Sequence, residues 1–217
     1  MKHNLEAIVL GTTKFGENSV VVHTLTRTLG RRGFLVRVGK RVPMALLLPL
    51  NLLEMEVTEN SRSTLWSATR LTARAPLHGI RGNLHKNTMT LFLSEVLLRT
   101  LHEGVPAGDG LFDWCERSIL TLDALEADFA NFHLRFLVEL SGALGFSPTL
   151  EDVAPFAGEH LGAVRELLNT SFSAAMLVPL TGADRNALCE QLLQYLEYHT
   201  ESPIRVKSLA VLRKLYQ

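Results

Sequence analysis

The sequence predicts an α+β protein of two domains, an N-terminal OB-fold β-barrel over residues 1–77 and an all-α helical domain over residues 78–217. Two observations support this division. Apolar residues recur with a period of two before Pro76 and with a helical period after it. The charge divides at nearly the same place: up to Arg81 there are 12 Lys and Arg against 5 Asp and Glu, and beyond it there are 10 against 17.

The first three strands form a predicted meander. Apolar and polar residues alternate over Leu5–Thr13 and Ser19–Thr26, which predicts two strands joined by a turn at residues 15–18. The chain turns again near Gly30 and returns through a third strand that ends at Val38. β-Branched residues on one face, with Gly and Asn at the turns, are typical of a sheet that is buried on one side.

Two further strands complete the predicted barrel. Leu52–Thr58 alternates cleanly, and residues 65–74 follow as the last strand. Strict alternation in that last strand places Trp66 and Ala68 on one side and Leu71 on the other. About five strands in roughly 75 residues favour a closed barrel, because closure removes exposed sheet edges. The five-stranded OB-fold is the commonest barrel of that size that binds nucleic acid.

Helices are predicted beyond the barrel. An apolar stripe from Met89 to Leu101 indicates a helix that stops near Gly104. Two more helices are predicted over residues 112–122 and 129–144. Weaker helical patterns cover residues 161–168, 184–198 and 206–216, and residues 147–158 are predicted to be irregular.

The barrel region has a strong excess of cations. Between Ala7 and Arg41, seven Lys and Arg stand against Glu17 alone, and such a surface attracts polyanions. Loops and one face of a small barrel can hold these side chains in a positive groove that follows a phosphate backbone. The alternative is that the charge difference reflects only two differently solvated surfaces. The predicted DNA-binding residues are Lys14, Arg27, Arg31, Arg32, Arg37, Lys40, Arg41, Trp66, Arg70 and Arg74.

Aromatic residues that could stack on bases are few in this region. Phe34 lies in an apolar strand and is expected in the core, whereas Phe15 in a turn and Trp66 among polar neighbours are open to either role. Binding is therefore expected to be independent of DNA sequence and dominated by phosphate contacts, with a steep dependence on salt.

Several other classes of protein are disfavoured. No stretch reaches the roughly 18 consecutive apolar residues of a membrane span, and Cys115 and Cys189 are too few for a disulfide framework. We therefore expect a cytoplasmic protein without membrane segments.

Histidines and cysteines lack metal-ligand spacing, so no metal or cofactor is expected. The segment Gly11–Gly16 has the spacing of a phosphate-binding loop, but Glu17 replaces its lysine. No other catalytic motif is found, and no enzyme is predicted.

Two alternatives stay open at this point. Glu54 and Glu56 are two residues apart on one strand and could in principle bind a metal, although a solvated strand face is the favoured interpretation. The protein could also be a basic module that binds structured RNA, or an adaptor that binds only proteins. Competition between single-stranded DNA, duplex DNA and folded RNA would distinguish these functions.

Four segments of the chain occur in the order of one known family. They are A-I-V-L-x-T-x-K-F-G-E-x-S-x-V-V-x-x-x-T-x-x-x-G (Ala7–Gly30), LPLNLLEMEV (Leu48–Val57), FANFHLRFLVELSGALGF (Phe129–Phe146) and KSLAVLRKLY (Lys207–Tyr216). Together they resemble the bacterial DNA repair protein RecO, a family of recombination mediators, over nearly the whole chain. The resemblance implies an OB-fold joined to a helical domain, binding to single- and double-stranded DNA, and annealing of complementary strands. It also implies help in loading recombinase onto DNA that is coated by single-stranded DNA-binding protein, and RecR as a partner.

The resemblance further implies that the helical domain captures the acidic, apolar C-terminal tail of single-stranded DNA-binding protein. Such a tail needs an apolar pocket flanked by cations that pair with its carboxylates. Candidates by residue type are Arg99, Arg135, Arg165 and Lys207. The alternative for each is that it caps a helix or pairs with a nearby Glu.

One departure from the family pattern concerns zinc. Many family members have a four-cysteine zinc site after the helix that ends in Leu-Gly-Phe-Ser-Pro, and this chain has TLEDVAPFAGEHLGAV (Thr149–Val164) at that place. Since this segment contains no cysteine, the sequence is similar to the zinc-free branch of the family, and no metal site is expected.

Overall fold

The computed structural model describes residues 1–60, 63, 65–105, 110–146 and 148–215. Five strands form the N-terminal region, as predicted, and a short 3-10 helix (Met44–Leu47) lies between the third and the fourth. The strands are β1 (Lys2–Lys14), β2 (Ser19–Thr26), β3 (Gly30–Arg37), β4 (Leu52–Thr58) and β5 (Trp66–Ala73).

The five strands form a closed barrel in the order β1-β2-β3-β5-β4. All neighbouring pairs are antiparallel except β3 and β5, which are parallel over three residue pairs beginning at Phe34 and Trp66. Closure comes from β1, which pairs with β4 through its first half and with β2 through its second half. The inward side chains include Val9, Val22, Phe34, Leu53 and Met55. The predicted OB-like barrel is confirmed, and so is the core position of Phe34.

The strict alternation predicted for β5 is wrong. Ala68 and Leu71 are both buried in the barrel core, although their spacing would place them on opposite faces. The cause is a bulge: Glu56 pairs with Arg70 and Val57 pairs with Ala68, so Thr69 is an extra residue in β5. The bulge therefore reverses the inward and outward positions in the second half of the strand.

The helices follow the barrel. Their bounds are α1 (His78–Arg81), α2 (Leu84–Thr100), α3 (Leu111–Ala124), α4 (Phe132–Ala143), α5 (Leu150–Ala157), α6 (Leu161–Asn169), α7 (Phe172–Met176), α8 (Gly182–Thr200) and α9 (Leu209–Leu215). The last residue of the predicted C-terminal helix, Tyr216, lies outside the described residues. Within the described part of the chain, no helix is both long and apolar enough to cross a membrane.

The irregular structure predicted for residues 147–158 is wrong, because α5 occupies most of that segment. A capping box begins the helix: the Thr149 hydroxyl accepts a hydrogen bond from the backbone N–H of Asp152, and the Asp152 carboxylate accepts one from the backbone N–H of Thr149. Pro155 lies inside α5, and this residue is what made the segment resemble a loop.

The chain divides into two compact units. Unit 1 comprises Met1–His78 and Ser94–Ile119, and unit 2 comprises Gly79–Leu93 and Leu120–Gln217. Unit 1 thus contains the barrel together with the end of α2 and most of α3. Division of the chain into domains at residues 1–77 and 78–217 stays a prediction.

A polar group at the start of α4 organises the interior of unit 2. The buried Asn131 side chain donates hydrogen bonds to the carbonyls of Ala175, Met176 and Val178, and its oxygen accepts one from Arg185. These carbonyls lie at the C-terminal end of α7, where the helix has no partners of its own for them. Asn131 therefore ties α4 to α7 and α8.

We expect the stability of the protein to fall in acid because of His133. This imidazole is buried against the ring of Phe92, and burial, assisted by the charge of Arg185, lowers its pKa to about 3. An unfolded histidine has a pKa of about 6.5. The unfolded chain therefore binds more protons between these values, and the stability that the neutral imidazole contributes is complete above pH ~6.5 and is lost towards pH ~3.

The measurement is the free energy of unfolding in urea as a function of pH. Below pH ~6, His133→Leu should show a slope lower than that of the wild type by up to about 1.4 kcal/mol per pH unit. The control is His78→Gln, since His78 is exposed and should leave the slope almost unchanged. Equal slopes in the wild type and His133→Leu would contradict the prediction.

Candidate nucleic-acid interface

Four predicted cations lie together at one end of the barrel. Lys14 ends β1 opposite Val20, and Arg37 ends β3 opposite Ser19, so both residues lie at the end of the barrel where β2 begins. Lys40 and Arg41 follow in the loop after β3. We call Lys14, Arg37, Lys40 and Arg41 the cationic rim.

Backbone hydrogen bonds hold the loop that carries the cationic rim. The N–H of Val38 donates to the carbonyl of Asn18 over 2.9 Å, which ties the end of β3 to the β1–β2 turn. The N–H of Gly39 donates to the carbonyl of Val42 over 3.0 Å and closes a tight turn around Lys40 and Arg41. All four rim side chains are exposed, and none forms an ion pair with any residue that the structure describes.

A pocket of about 470 Å³ opens beside the cationic rim. The β1–β2 turn forms one wall, and the apolar side chains of Val20, Val38 and Met44 form another part of the lining. Phe15, in the same turn, is 62% exposed. Its position leaves the ring accessible for stacking, one of the two roles that the sequence left open.

Arg27 and Arg74 belong to an ion cluster in unit 1 with Glu6, Asp113 and Glu116. Arg27 contacts all three carboxylates, and Arg74 lies 3.1 Å from Glu6 and 2.6 Å from Glu116. The pKa of Arg27 is raised above its ordinary value, chiefly by the hydrogen bond to Asp113 and next by the hydrogen bond to Glu6. The guanidinium of Arg27 also lies over the ring of Phe112, 4.5 Å from its centroid. These contacts fix the N-terminal end of α3 on the barrel.

Arg31 is bound to the segment that follows α2. Its guanidinium donates to the carbonyl of Leu101 over 2.8 Å and lies 4.0 Å from the carboxylate of Glu103, while its own carbonyl accepts from the N–H of Gly104. A Cβ at Gly33 would be 3.5 Å from that Glu103 carboxylate. Residues 101–104 therefore cover part of the outer face of β2 and β3.

His23 lies on the part of β2 that residues 101–104 cover. Its Nε2 is 3.0 Å from the hydroxyl of Thr13. Burial first, and the charge of Arg31 second, lower the pKa of His23, so the neutral imidazole is favoured. His23 therefore adds no positive charge to this part of the β2–β3 face.

The remaining predicted residues have partners on the barrel wall. The guanidinium of Arg32 lies 3.9 Å from the centroid of the Trp66 ring, and His3 stacks on the same ring at 5.5 Å. A base that stacks on Trp66 must compete with these two side chains. Arg70 lies 3.6 Å from the carboxylate of Glu56, which also accepts from Lys2.

The ten predicted residues therefore fall into two groups. The four of the cationic rim lie at one end of the barrel and are exposed, and the other six contact groups of the protein itself. Sequence reasoning missed the carboxylates that engage them, above all Glu103, Asp113 and Glu116. The acidic excess beyond Arg81 was the available signal, but it does not show which carboxylates meet which arginines.

The four predicted peptide-binding cations have different surroundings. Arg135 pairs with Glu139 at 2.7 Å and also donates to the carbonyls of Leu167 and Thr170 at the end of α6, so it has both of the structural roles considered as alternatives. Arg99 lies in unit 1 and is exposed, and Arg165 and Lys207 are exposed in unit 2. No group of three or more His, Cys, Asp or Glu in the described segments is arranged to hold a metal ion.

Two family models match the chain. The model described as "Recombination protein O N terminal" matches residues 1–75, and the one described as "Recombination protein O C terminal" matches residues 81–155. The first covers the whole barrel, and the second begins at the last residue of α1 and extends into α5.

Curated relatives that carry the name "DNA repair protein RecO" are similar along the chain. The Flavobacterium psychrophilum protein is 27% identical over 239 aligned residues that cover 100% of both chains. The Phocaeicola vulgatus protein is 29% identical over 96% of this chain and 97% of its own. The Bacteroides fragilis protein is 34% identical over 77% of this chain and 68% of its own.

We expect Glu116→Gln to destabilise unit 1. The Glu116 side chain is 16% exposed and accepts from both Arg27 and Arg74. Its neutralisation leaves two arginines with one fewer carboxylate, which should lower the free energy of unfolding by about 1–2 kcal/mol. The measurement is urea unfolding at neutral pH.

Glu54→Gln is the matched control, since Glu54 is exposed on β4 and has no ion-pair partner among the described residues. Its effect should stay within about 0.5 kcal/mol. A loss in Glu116→Gln that is no larger than the loss in this control would contradict a stabilising role for the ion cluster.

Proposed function

Because this chain belongs to the RecO family and has a role in recombinational DNA repair, we propose that it binds single- and double-stranded DNA and anneals complementary strands. In this proposal the protein also helps to load recombinase onto DNA coated by single-stranded DNA-binding protein. It acts in the cytoplasm as a mediator, without catalysing a reaction of its own and without a metal or a cofactor.

The observation that carries the DNA-binding proposal is the cationic rim. Four cations lie around one turn and one loop, and none of them has a carboxylate partner in the described part of the chain. Phosphate groups would neutralise these charges and release the counterions that surround free DNA, which favours binding at low salt. Among the described parts of the barrel, the rim is therefore the surface that gains most from binding a polyanion.

The position of the rim supports the same proposal. OB-folds bind nucleic acids at the β2–β3 face and at the loops that follow β1 and β4. In this chain residues 101–104 cover the Arg31 end of that face, whereas the β1–β2 turn and the Arg37 end are exposed. The DNA contact is therefore proposed to be centred on the cationic rim. Arg27, Arg31, Arg32 and Arg74 would contribute after exchange of their present partners, whereas Arg70, which shares the Glu56 carboxylate with Lys2, would add little.

A second proposal concerns proteins that bind the helical part of the chain. We propose that it captures the acidic C-terminal tail of single-stranded DNA-binding protein and that the protein works with RecR. Arg165 and Lys207 are exposed cations of unit 2, and Arg99 is an exposed cation of unit 1. Arg135 is engaged at the end of α6, so its contribution to tail binding would be to keep that helix in place.

We expect the double variant Lys40→Gln/Arg41→Gln to bind single-stranded DNA about tenfold or more weakly at low salt. The reason is the loss of two phosphate contacts, which should also reduce the slope of log affinity against log salt by about 1.4. Fluorescence anisotropy of a labelled oligonucleotide over a salt series measures both quantities. The same variant should anneal complementary strands more slowly, with and without single-stranded DNA-binding protein.

The control removes the same charge from another face of the barrel. Lys2→Gln/Arg70→Gln changes side chains that are 72% and 83% exposed and that share the Glu56 carboxylate. This variant should keep most of its affinity. Equal losses in the two double variants would contradict a contact centred on the rim, and a flat response of the wild type to salt would contradict phosphate binding altogether. Tighter binding to folded RNA than to either form of DNA would favour an RNA-binding function instead.

For tail binding, we expect Arg165→Ala and Lys207→Ala each to weaken binding of a tail peptide by about threefold to tenfold, because each removes a cation that pairs with a carboxylate. Isothermal titration with the peptide is the measurement. Arg205→Ala is the matched control, an exposed cation of the same unit outside the predicted set. Arg99→Ala and Arg135→Ala complete the series, and thermal unfolding separates a loss of fold in Arg135→Ala from a loss of binding. Unchanged affinity in all four variants would contradict the proposed cations.

A further inference from the structure

The pocket beside the cationic rim differs from the rim in its chemistry. We define the turn pocket by six of its residues: Lys14, Glu17, Asn18, Val20, Val38 and Met44. Its volume of about 470 Å³ falls within the ~300–1,000 Å³ that is usual for sites that bind small ligands. A surface that bound only phosphates would not need a concave site with an apolar wall.

We propose that the turn pocket accepts an unpaired nucleobase of a DNA strand whose phosphates lie on the cationic rim. The inference rests on the proposed DNA-binding function and names the part of the strand that this end of the barrel binds. Val20, Val38 and Met44 supply an apolar wall against which the face of a base can pack. Met44 belongs to this lining, is 47% exposed and is flexible enough to adapt to different bases.

The polar groups of the pocket suit the edge of a base better than a phosphate. Glu17 belongs to the lining, and its carboxylate repels phosphate but can accept hydrogen bonds from N–H groups of bases, among them the N3–H of thymine. The amide of Asn18 can donate and accept on the same edge. The lining thus combines one cation, Lys14, with the hydrogen-bonding residues Glu17 and Asn18, and the other rim cations lie at the same end of the barrel. This arrangement orients a nucleotide with its base inward and its phosphate towards Lys14 and the rest of the rim.

Phe15 extends the arrangement to a second base. It lies between Lys14 and Gly16, two residues of the pocket lining, and its ring is largely exposed. A neighbouring base of the same strand could stack on that ring while the first base occupies the pocket. Bases within a duplex are paired and stacked and cannot enter without unpairing, so the turn pocket would favour single-stranded segments over duplex DNA.

The experiment compares two strands with equal charge. A thymidine oligonucleotide and an abasic oligonucleotide of the same length present the same number of phosphates, but only the first has bases. We expect the wild-type full-length chain to bind the abasic strand at least about tenfold more weakly, which corresponds to stacking and packing of one or two bases. Fluorescence anisotropy at fixed salt measures both affinities.

Two variants locate the effect in the turn pocket. Met44→Gln and Phe15→Ala should each weaken binding of the thymidine strand by about threefold to tenfold and leave binding of the abasic strand unchanged. Leu48→Gln is the matched control, because Leu48 is an exposed apolar residue four positions beyond Met44 that does not line the pocket. It should change neither affinity.

Failure of this inference is distinguishable from failure of the proposed function. If the abasic strand binds as tightly as the thymidine strand, base capture is overturned while DNA binding through phosphates stands. If Met44→Gln and Phe15→Ala lose affinity for both strands equally, the residues do not act on bases and the inference is overturned as well. If neither strand binds at any salt concentration, the proposed DNA-binding function fails first.

Discussion

The pairing of β1 along both of its edges is the constraint on which the barrel depends. Its first half hydrogen-bonds to β4 and its second half to β2, and a shift in register lies between Val9 and Gly11, where the strand passes from one partner to the other. This double pairing closes the sheet and fixes where each β1 side chain lies. Glu6 is held beside Arg27 and Arg74, and Lys14 lies at the end of the barrel where β3 ends at Arg37.

The positions of the carboxylates then separate cations that have acidic partners from cations that are exposed, although the sequence does not distinguish the two kinds. Glu6, Asp113 and Glu116 neutralise Arg27 and Arg74, Glu103 lies beside Arg31, and Glu56 is shared by Lys2 and Arg70. An arginine that is hydrogen-bonded to several carboxylates has already satisfied much of its charge, and it gains less from a phosphate than an exposed one does. Net charge is therefore a poor guide to where a polyanion binds on this protein. The positions of the acidic partners are the better guide.

Unit 2 depends on polar groups that satisfy the ends of its helices. Capping boxes begin α5 and α8, Asn131 binds the carbonyls that follow α7, and Arg135 binds those at the end of α6. Short helices have few internal hydrogen bonds, so the satisfaction of their ends contributes a large share of their stability. This explains why a polar side chain as buried as Asn131 is compatible with the fold, and why the charge of Arg135 serves structure in this unit.

Local patterns in the sequence determined much of this protein. Periods of two and of 3.6 identified the strands and the longer helices, and motif order identified the family. The helix at residues 150–157 was missed, because a proline within it masked the capping box at Thr149 and Asp152. Tertiary structure alone decided three other matters: the bulge at Thr69, the contacts of Arg32 and His3 with the Trp66 ring, and the choice of exposed cations. The physical reason is the separation along the chain between the residues that interact. Alternation and capping depend on neighbours within a few residues, whereas Arg27 meets Glu116 across 89 positions, and only the closed barrel with α3 against it brings those two charges together.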